Sequence, residues 1–168
     1  DQTVKIAKEY ASNINQNLKY PICSLIQDTA WDGYNIIPYN IMKGYLTQII
    51  EISDQLLDEK IDFVFLQSGV GSWAASIVAY IQKYWEYQPL IYSVEPFSAN
   101  CVFESIACGN RVSVIDGGET IMAGLNCGTV SKIAWPILKN GLMGAISIKD
   151  NLVEKAMKVL AHPLDKDI

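Results

Sequence analysis

The sequence predicts an α/β fold, a doubly wound, mainly parallel sheet with helices on both faces. Three observations point to it. Short apolar runs alternate with segments of helical periodicity, the pattern of a parallel sheet covered on two sides. The run Phe63-Val64-Phe65-Leu66 breaks into a glycine-containing turn, and a helical pattern starts almost at once. The chain has 168 residues, half of them hydrophobic, which is enough for one domain with a core.

Each element follows from its local pattern. Apolar positions at Val4, Ala7, Tyr10, Ala11 and Ile14 predict a helix over residues 3–15. The short apolar stretch from Pro21 to Ile26 suits a strand. The longest periodic segment, residues 38–57, puts Ile41, Tyr45, Ile49, Ile52 and Leu56 on one helix face, with Pro38 well placed near its start. A strand at 63–66 and a helix over 73–84 come next. A third strand, 90–94, ends at Glu95-Pro96, after which Ser98 can cap a helix over 99–107. Residues 112–115 and 145–148 read as further strands, separated by a glycine-rich stretch and a short helix near 135–138. Asp150 stands as the cap of a last helix over 151–160.

Composition removes several functions. Thirteen basic against eighteen acidic side chains give a net charge of −5 with no basic cluster, which argues against nucleic acid as a partner. No apolar run approaches the roughly 20 residues of a membrane span. The opening Asp1-Gln2-Thr3 does not read as a secretory leader. The cysteines, Cys23, Cys101, Cys108 and Cys127, lack C-x-x-C spacing, so no metal site is expected and the thiols read as reduced and cytoplasmic. Cys101 and Cys127 could still meet in space. His162, the single histidine, suits the end of the last helix rather than catalysis.

The turn Ser68-Gly69-Val70-Gly71-Ser72 carries the chemistry. A buried strand delivering its carboxyl end to a helix amino terminus presents unpaired N–H groups in a positive dipole, a natural anion site. Gly69 and Gly71 let the backbone approach a phosphate closely. Gln27-Asp28, residues 68–72 and Glu95-Pro96 all follow predicted strand ends and are expected to line one rim. The string Gly69-Val70-Gly71-Ser72-Trp73-Ala74 also satisfies the dinucleotide pattern, with Glu95 as the acid at the end of the next strand. Against that reading, a helix and a strand precede the motif, and Pro96 stiffens the place of a ribose.

Longer blocks narrow the choice. Gln27-Asp28-Thr29-Ala30-Trp31-Asp32-Gly33-Tyr34 is followed by Ile37-Pro38 and Ile41-Met42-x-Gly44-Tyr45. Leu66-Gln67-Ser68-Gly69-Val70-Gly71, Val94-Glu95-Pro96, Ala99-Asn100-Cys101 and Thr120-Ile121-Met122-Ala123-Gly124-Leu125-Asn126-Cys127-Gly128 come in order after them. This series closely resembles the diaminopropionate ammonia-lyases, fold-type II pyridoxal-phosphate enzymes related to tryptophan synthase β and threonine dehydratase. The resemblance implies α,β-elimination of 2,3-diaminopropionate to pyruvate and ammonia, with pyridoxal phosphate as cofactor. It implies that Ser68, Gly69, Val70, Gly71 and Ser72 cup the cofactor phosphate and that Asp28 is a catalytic carboxylate on the substrate side. A small amino-acid substrate and a homodimer are the implied partners. Other readings are a serine or threonine dehydratase, or a non-catalytic phosphate-ligand or dinucleotide-binding module.

The resemblance covers only the middle of that family. Residues 1–27 would end its small domain and 28–168 would form part of the large one. None of the twelve lysines stands in the context of the family's Schiff-base lysine. The segment alone is therefore expected to be inactive, with unpaired sheet edges and uncovered apolar faces. Read without the resemblance, Asp28 could simply cap a turn. Tyr45 reads as a core aromatic in either case, Glu95 as structural, and Cys101 and Cys127 as buried thiols.

Overall fold

A computed structural model describes residues 2–57, 59–114 and 118–162. The expectations at Ile115, Gly117 and Lys166 lie outside them. The chain runs α1 (Gln2–Asn15), α2 (Ile36–Leu56), β1 (Phe63–Gln67), α3 (Ser72–Tyr84), β2 (Leu90–Pro96), α4 (Cys101–Cys108), a 3₁₀ turn (Ala123–Leu125), α5 (Trp135–Gly141), β3 (Gly144–Ile148) and α6 (Asp150–Ala161). The strands form one parallel sheet in the order β1-β2-β3, with Phe65 opposite Tyr92 and Val94 opposite Ile146. This is the parallel α/β class that the alternating pattern predicts.

The core lies on one face of the sheet. Leu66 and Ile91 point from β1 and β2 into a cluster with Ile77, Val78 and Ile81 of α3 and Leu138 of α5. Small residues bring these layers close: Ala74, Ala75 and Ser76 are all buried on α3, and a Cβ on Gly141 would collide with Val78. The other face carries a ladder of stacked rings, Phe63 to Phe65 at 6.5 Å and Phe65 to Tyr92 at 5.8 Å between centroids. Phe63 and Phe65 are 55% and 58% exposed. Among the described residues this apolar face is left largely open.

Four local expectations are corrected. Residues 21–26 form no strand: the Asn15 side chain holds them as an extended segment, accepting from the amides of Ile22 (2.9 Å) and Cys23 (3.1 Å) and donating to the Cys23 carbonyl (2.7 Å). An apolar extended run becomes a strand only when another strand pairs with it, and among the described residues none does. The strand predicted from Val112 reduces to a single antiparallel bridge between Ser113 and Thr129. Ser98 does not cap α4; its hydroxyl donates to the Glu119 carbonyl at 3.3 Å. Asp150 is the first residue of α6 rather than its cap. Its carboxylate accepts from Thr120 Oγ1 (2.6 Å) and the Ile121 amide (3.0 Å), and these bonds hold its pKa below the ordinary value.

Candidate active site

The loop after β1 is built as an anion cup. The Ser68 amide donates to the Val94 carbonyl at 2.9 Å, carrying sheet pairing one residue past the strand. Gly71 then turns the chain at φ 83°, in the left-handed region open to glycine. A Cβ there would stand 2.5 Å from Leu138 Cδ1. The first bond of α3 runs from the Ala75 amide to the Gly71 carbonyl at 2.8 Å. The amides of Ser72, Trp73 and Ala74 therefore precede the helical ladder, where an anion is favoured. The Ser68 hydroxyl is buried and has no hydrogen-bond partner among the described residues. Gly69 lies between two free thiols. Cys101 Sγ contacts its carbonyl at 3.4 Å, and a Cβ on Gly69 would meet Cys127 Sγ at 2.9 Å. Burial pushes both thiols above their ordinary pKa.

A second loop is tied to this cup. Ser72 Oγ donates to the Asp28 carbonyl at 2.9 Å, and the Ala30 amide donates to Ser131 Oγ at 2.9 Å. The Lys132 amide donates to the Ala30 carbonyl at 3.0 Å, and the Lys132 ammonium pairs with Asp32. Trp31 and Tyr34 close a tight turn, their rings stacked at 4.3 Å, with Gly33 at φ 84°. The Tyr34 hydroxyl donates to the Leu25 carbonyl at 2.7 Å and accepts from the Gln27 amide at 3.1 Å. Trp31 and Tyr34 are thus parts of a clamp on the Asp28 loop rather than general core.

Both loops open on a cleft of about 1130 Å³, lined by Asp28, Tyr45 and all five residues of 68–72. Burial pushes the Asp28 carboxyl above its usual range, opposed by hydrogen bonds from its own amide and from the Tyr45 hydroxyl. Tyr45 is therefore a wall of the cleft, not an ordinary core aromatic. Lys5 and Lys8 of α1 and Arg111 line the same cleft, with the Lys8 ammonium 3.6 Å from the Trp31 ring centroid. Local periodicity gives no signal for Lys5, Lys8 and Arg111, because the cleft they line forms from segments far apart in sequence. Arg111 alone was visible as the chain's single arginine.

Glu95 and Pro96 do not line the rim. Glu95 is fully buried inside β2, and its carboxylate accepts from the Val102 amide at 2.8 Å and the Phe103 amide at 2.6 Å. Glu95, not Ser98, thus satisfies the start of α4. The dinucleotide reading loses its acid, since both oxygens are already engaged. Desolvation outweighs these bonds and raises the carboxyl pKa to about 7. His162 sits at the end of α6, outside the residues that line the cleft.

A glycine-bearing loop at the carboxyl edge of a parallel sheet, with an acid in the same cleft, is an arrangement in which α/β proteins can hold an anionic ligand. The chain belongs to the family of pyridoxal-phosphate dependent enzymes, whose pattern it matches over residues 1–163. It is 41% identical over 145 residues to a diaminopropionate ammonia-lyase of Salmonella typhimurium, covering 83% of this chain and 36% of that protein. The diaminopropionate ammonia-lyase of Escherichia coli K12 is 35% identical over 170 residues, covering 99% of this chain and 41% of that protein. The crystal structure of the Escherichia coli enzyme with an aminoacrylate–pyridoxal-phosphate azomethine intermediate superposes with a TM-score of 0.86 at 33% identity, covering 100% of this chain and 41% of that one. The chain thus spans about two-fifths of the length of these relatives.

The cup fits the phosphate of this family's cofactor. It offers amides ahead of the α3 ladder, an unpartnered Ser68 hydroxyl, and a backbone at Gly71 that tolerates no side chain.

Proposed function

We propose that this chain forms the phosphate-cup and Asp28-bearing part of a diaminopropionate ammonia-lyase. The observation that carries the reading is the Ser72–Asp28 bond, which sets a carboxyl group beside the anion cup in one cleft. The reaction takes 2,3-diaminopropionate and water to pyruvate and two molecules of ammonia. Pyridoxal phosphate, when bound, supplies the electron sink for breaking the Cβ–N bond. The protein's own work is to hold and to move protons. The amides from Gly69 onward and the Ser68 hydroxyl hold the phosphate. Asp28 accepts a hydrogen bond from a substrate ammonium and exchanges a proton at its carboxyl oxygen, for which a raised pKa is suited. Lys5, Lys8 and Arg111 give the cleft positive charge that favours the substrate carboxylate.

On this reading residues 1–27 complete the smaller domain of the lyase and 28–168 belong to the larger one, in a cytoplasmic homodimer. The test is pyruvate release from diaminopropionate and from serine by a protein of the relatives' length that carries this segment. Preferential turnover of diaminopropionate, lost in Asp28→Asn, supports the reading. Turnover of serine with diaminopropionate inert overturns it. Borohydride trapping on the 168-residue chain, read by intact mass, is expected to leave no stable cofactor adduct. An adduct would show that one of its own lysines reaches the aldehyde.

A further inference from the structure

Residues 119–128 form a strap against the anion cup, and its two ends are held by different means. A Cβ on Gly69 would stand 2.9 Å from Cys127 Sγ, 3.4 Å from the Gly124 carbonyl oxygen and 3.5 Å from Leu125 Cα, so the strap presses directly on that glycine. Gly124 to Gly128 line the same cleft as residues 68–72. The far end is held by backbone. The Val114 amide donates to the Gly128 carbonyl at 2.8 Å, and a little further on the Ser131 amide donates to the Val70 carbonyl of the cup at 2.8 Å. Before Gly128 the backbone bonds stay inside the strap among the described residues: Leu125 to Met122, Asn126 to Ala123 and Cys127 to Leu125. The near end therefore hangs on side chains. One carboxylate oxygen of Asp150 accepts from Thr120 Oγ1 at 2.6 Å and the other from the Ile121 amide at 3.0 Å, while Thr120 Oγ1 accepts from the Met122 amide at 3.1 Å. Ser98 adds one longer bond, to the Glu119 carbonyl at 3.3 Å.

We infer that Asp150 is a positioning residue for the anion cup, holding residues 119–128 against Gly69 through Thr120 and Ile121. This rests on the role proposed above for the cup and adds the group that keeps its neighbouring wall in place. Asp150 and Ser98 each stand two residues past a strand end, β3 and β2, and the Phe97 amide joins those ends by donating to the Ile148 carbonyl at 2.7 Å. The anchor is thus fixed to the same carboxyl edge of the sheet that carries the cup. A carboxylate accepts more strongly than a neutral oxygen, and two bonds to consecutive residues fix the direction in which the strap leaves it. Asp150 lies outside the residues that line the cleft, so its effect on a bound anion is indirect. Release of the strap would open the Gly69 side to water, which competes with the cup amides for the anion. An acid in the first turn of α6 also favours that helix by its dipole. That role alone involves neither Thr120 nor the cup, which separates the two.

The test is hydrogen exchange in the 168-residue chain, read by mass spectrometry on peptides covering 119–128, with peptides of α3 as the internal reference. Thr120→Val removes the hydroxyl and leaves α6 untouched, whereas Asp150→Ala removes the acceptor. Either change should speed exchange of the strap roughly 3- to 10-fold, the scale of one lost hydrogen bond, while α3 keeps its wild-type rate. Both should weaken binding of inorganic phosphate by a similar factor, and Thr120→Ser, which keeps the hydroxyl, should restore both readings. If Thr120→Val does not fold, Asp150→Ala and Thr120→Ser carry the comparison. Unchanged strap exchange in the variants overturns the inference, as does equal acceleration in α3, which marks a general loosening. Faster strap exchange with phosphate binding unchanged also overturns it, because the strap would then be anchored without serving the cup. Wild-type protein that binds no phosphate sinks the cup reading instead, and strap exchange then decides the anchor by itself.

Discussion

Ser72 Oγ donates to the carbonyl of Asp28 at 2.9 Å, across 44 residues of sequence. One hydroxyl at the start of α3 thereby locks the acid-bearing loop to the anion cup. Because Ser72 belongs to the cup by its backbone and to the loop by its side chain, the two cannot drift apart independently. Ser72→Ala is expected to cost about 1–2 kcal/mol, since it removes a bond and leaves the Asp28 carbonyl with only the longer Ser131 contact. Urea unfolding measures this, and an unchanged midpoint would show that the bond contributes nothing.

Gly71 and Gly33 adopt nearly the same backbone angle, φ 83° and 84°, in very different surroundings. A Cβ at Gly71 meets Leu138 at 2.5 Å, whereas among the described residues nothing lies within 4 Å of one at Gly33. Gly33→Ala should cost only the left-handed penalty, about 1–2 kcal/mol. Gly71→Ala should add overpacking, for a total of about 2–4 kcal/mol, and weaken binding of inorganic phosphate. Equal costs in paired unfolding curves would mean that Leu138 yields freely.

Glu95 makes stability depend on pH in a particular direction. Its folded pKa, about 7, lies above its ordinary value of 4.5. Between those values the folded state binds more protons than the unfolded state, so stability falls as pH rises from near 4.5 to about 7 and levels off beyond. Glu95→Ala should remove that share of the slope. It should also cost about 2–4 kcal/mol, because two amides at the start of α4 lose their acceptor. Thermal midpoints of both proteins across this range check the sign, and parallel profiles would contradict it.

Phe65 stands on the open face of the sheet, stacked on Tyr92 and more than half exposed. Phe65→Ser should change stability by no more than about 1 kcal/mol. It should, however, lower the binding of a hydrophobic dye and self-association by sedimentation. A large loss of stability would show that the ladder is part of the folding core of this chain.

Much of the architecture was legible because it is written locally. The apolar run at 63–66, the periodicity of residues 38–57 and the glycine turn between β1 and α3 each carry their signal within a few residues, and all three stand in the structure. The misreadings share one cause. Residues 21–26 look like a strand, but their partner is the Asn15 side chain. Ser98 and Asp150 are good caps by type, yet Ser98 bonds Glu119 and Asp150 bonds Thr120 and Ile121. A residue's type states what it can bond, and only the folded chain brings the partner within reach.

The sequence by itself determined the parallel α/β class, the glycine turn at 68–72 and the family to which the chain belongs, because strand–turn–helix signals and motif blocks are contiguous. Tertiary structure alone decided that Ser72 ties Asp28 to that loop and that Glu95 turns inward to start α4. These are bonds between residues 44 and 7 apart. The first joins segments far apart in sequence through a side chain whose distance is set by the packing of α3 on the sheet. No local pattern encodes a length that arises only when those layers close on the core.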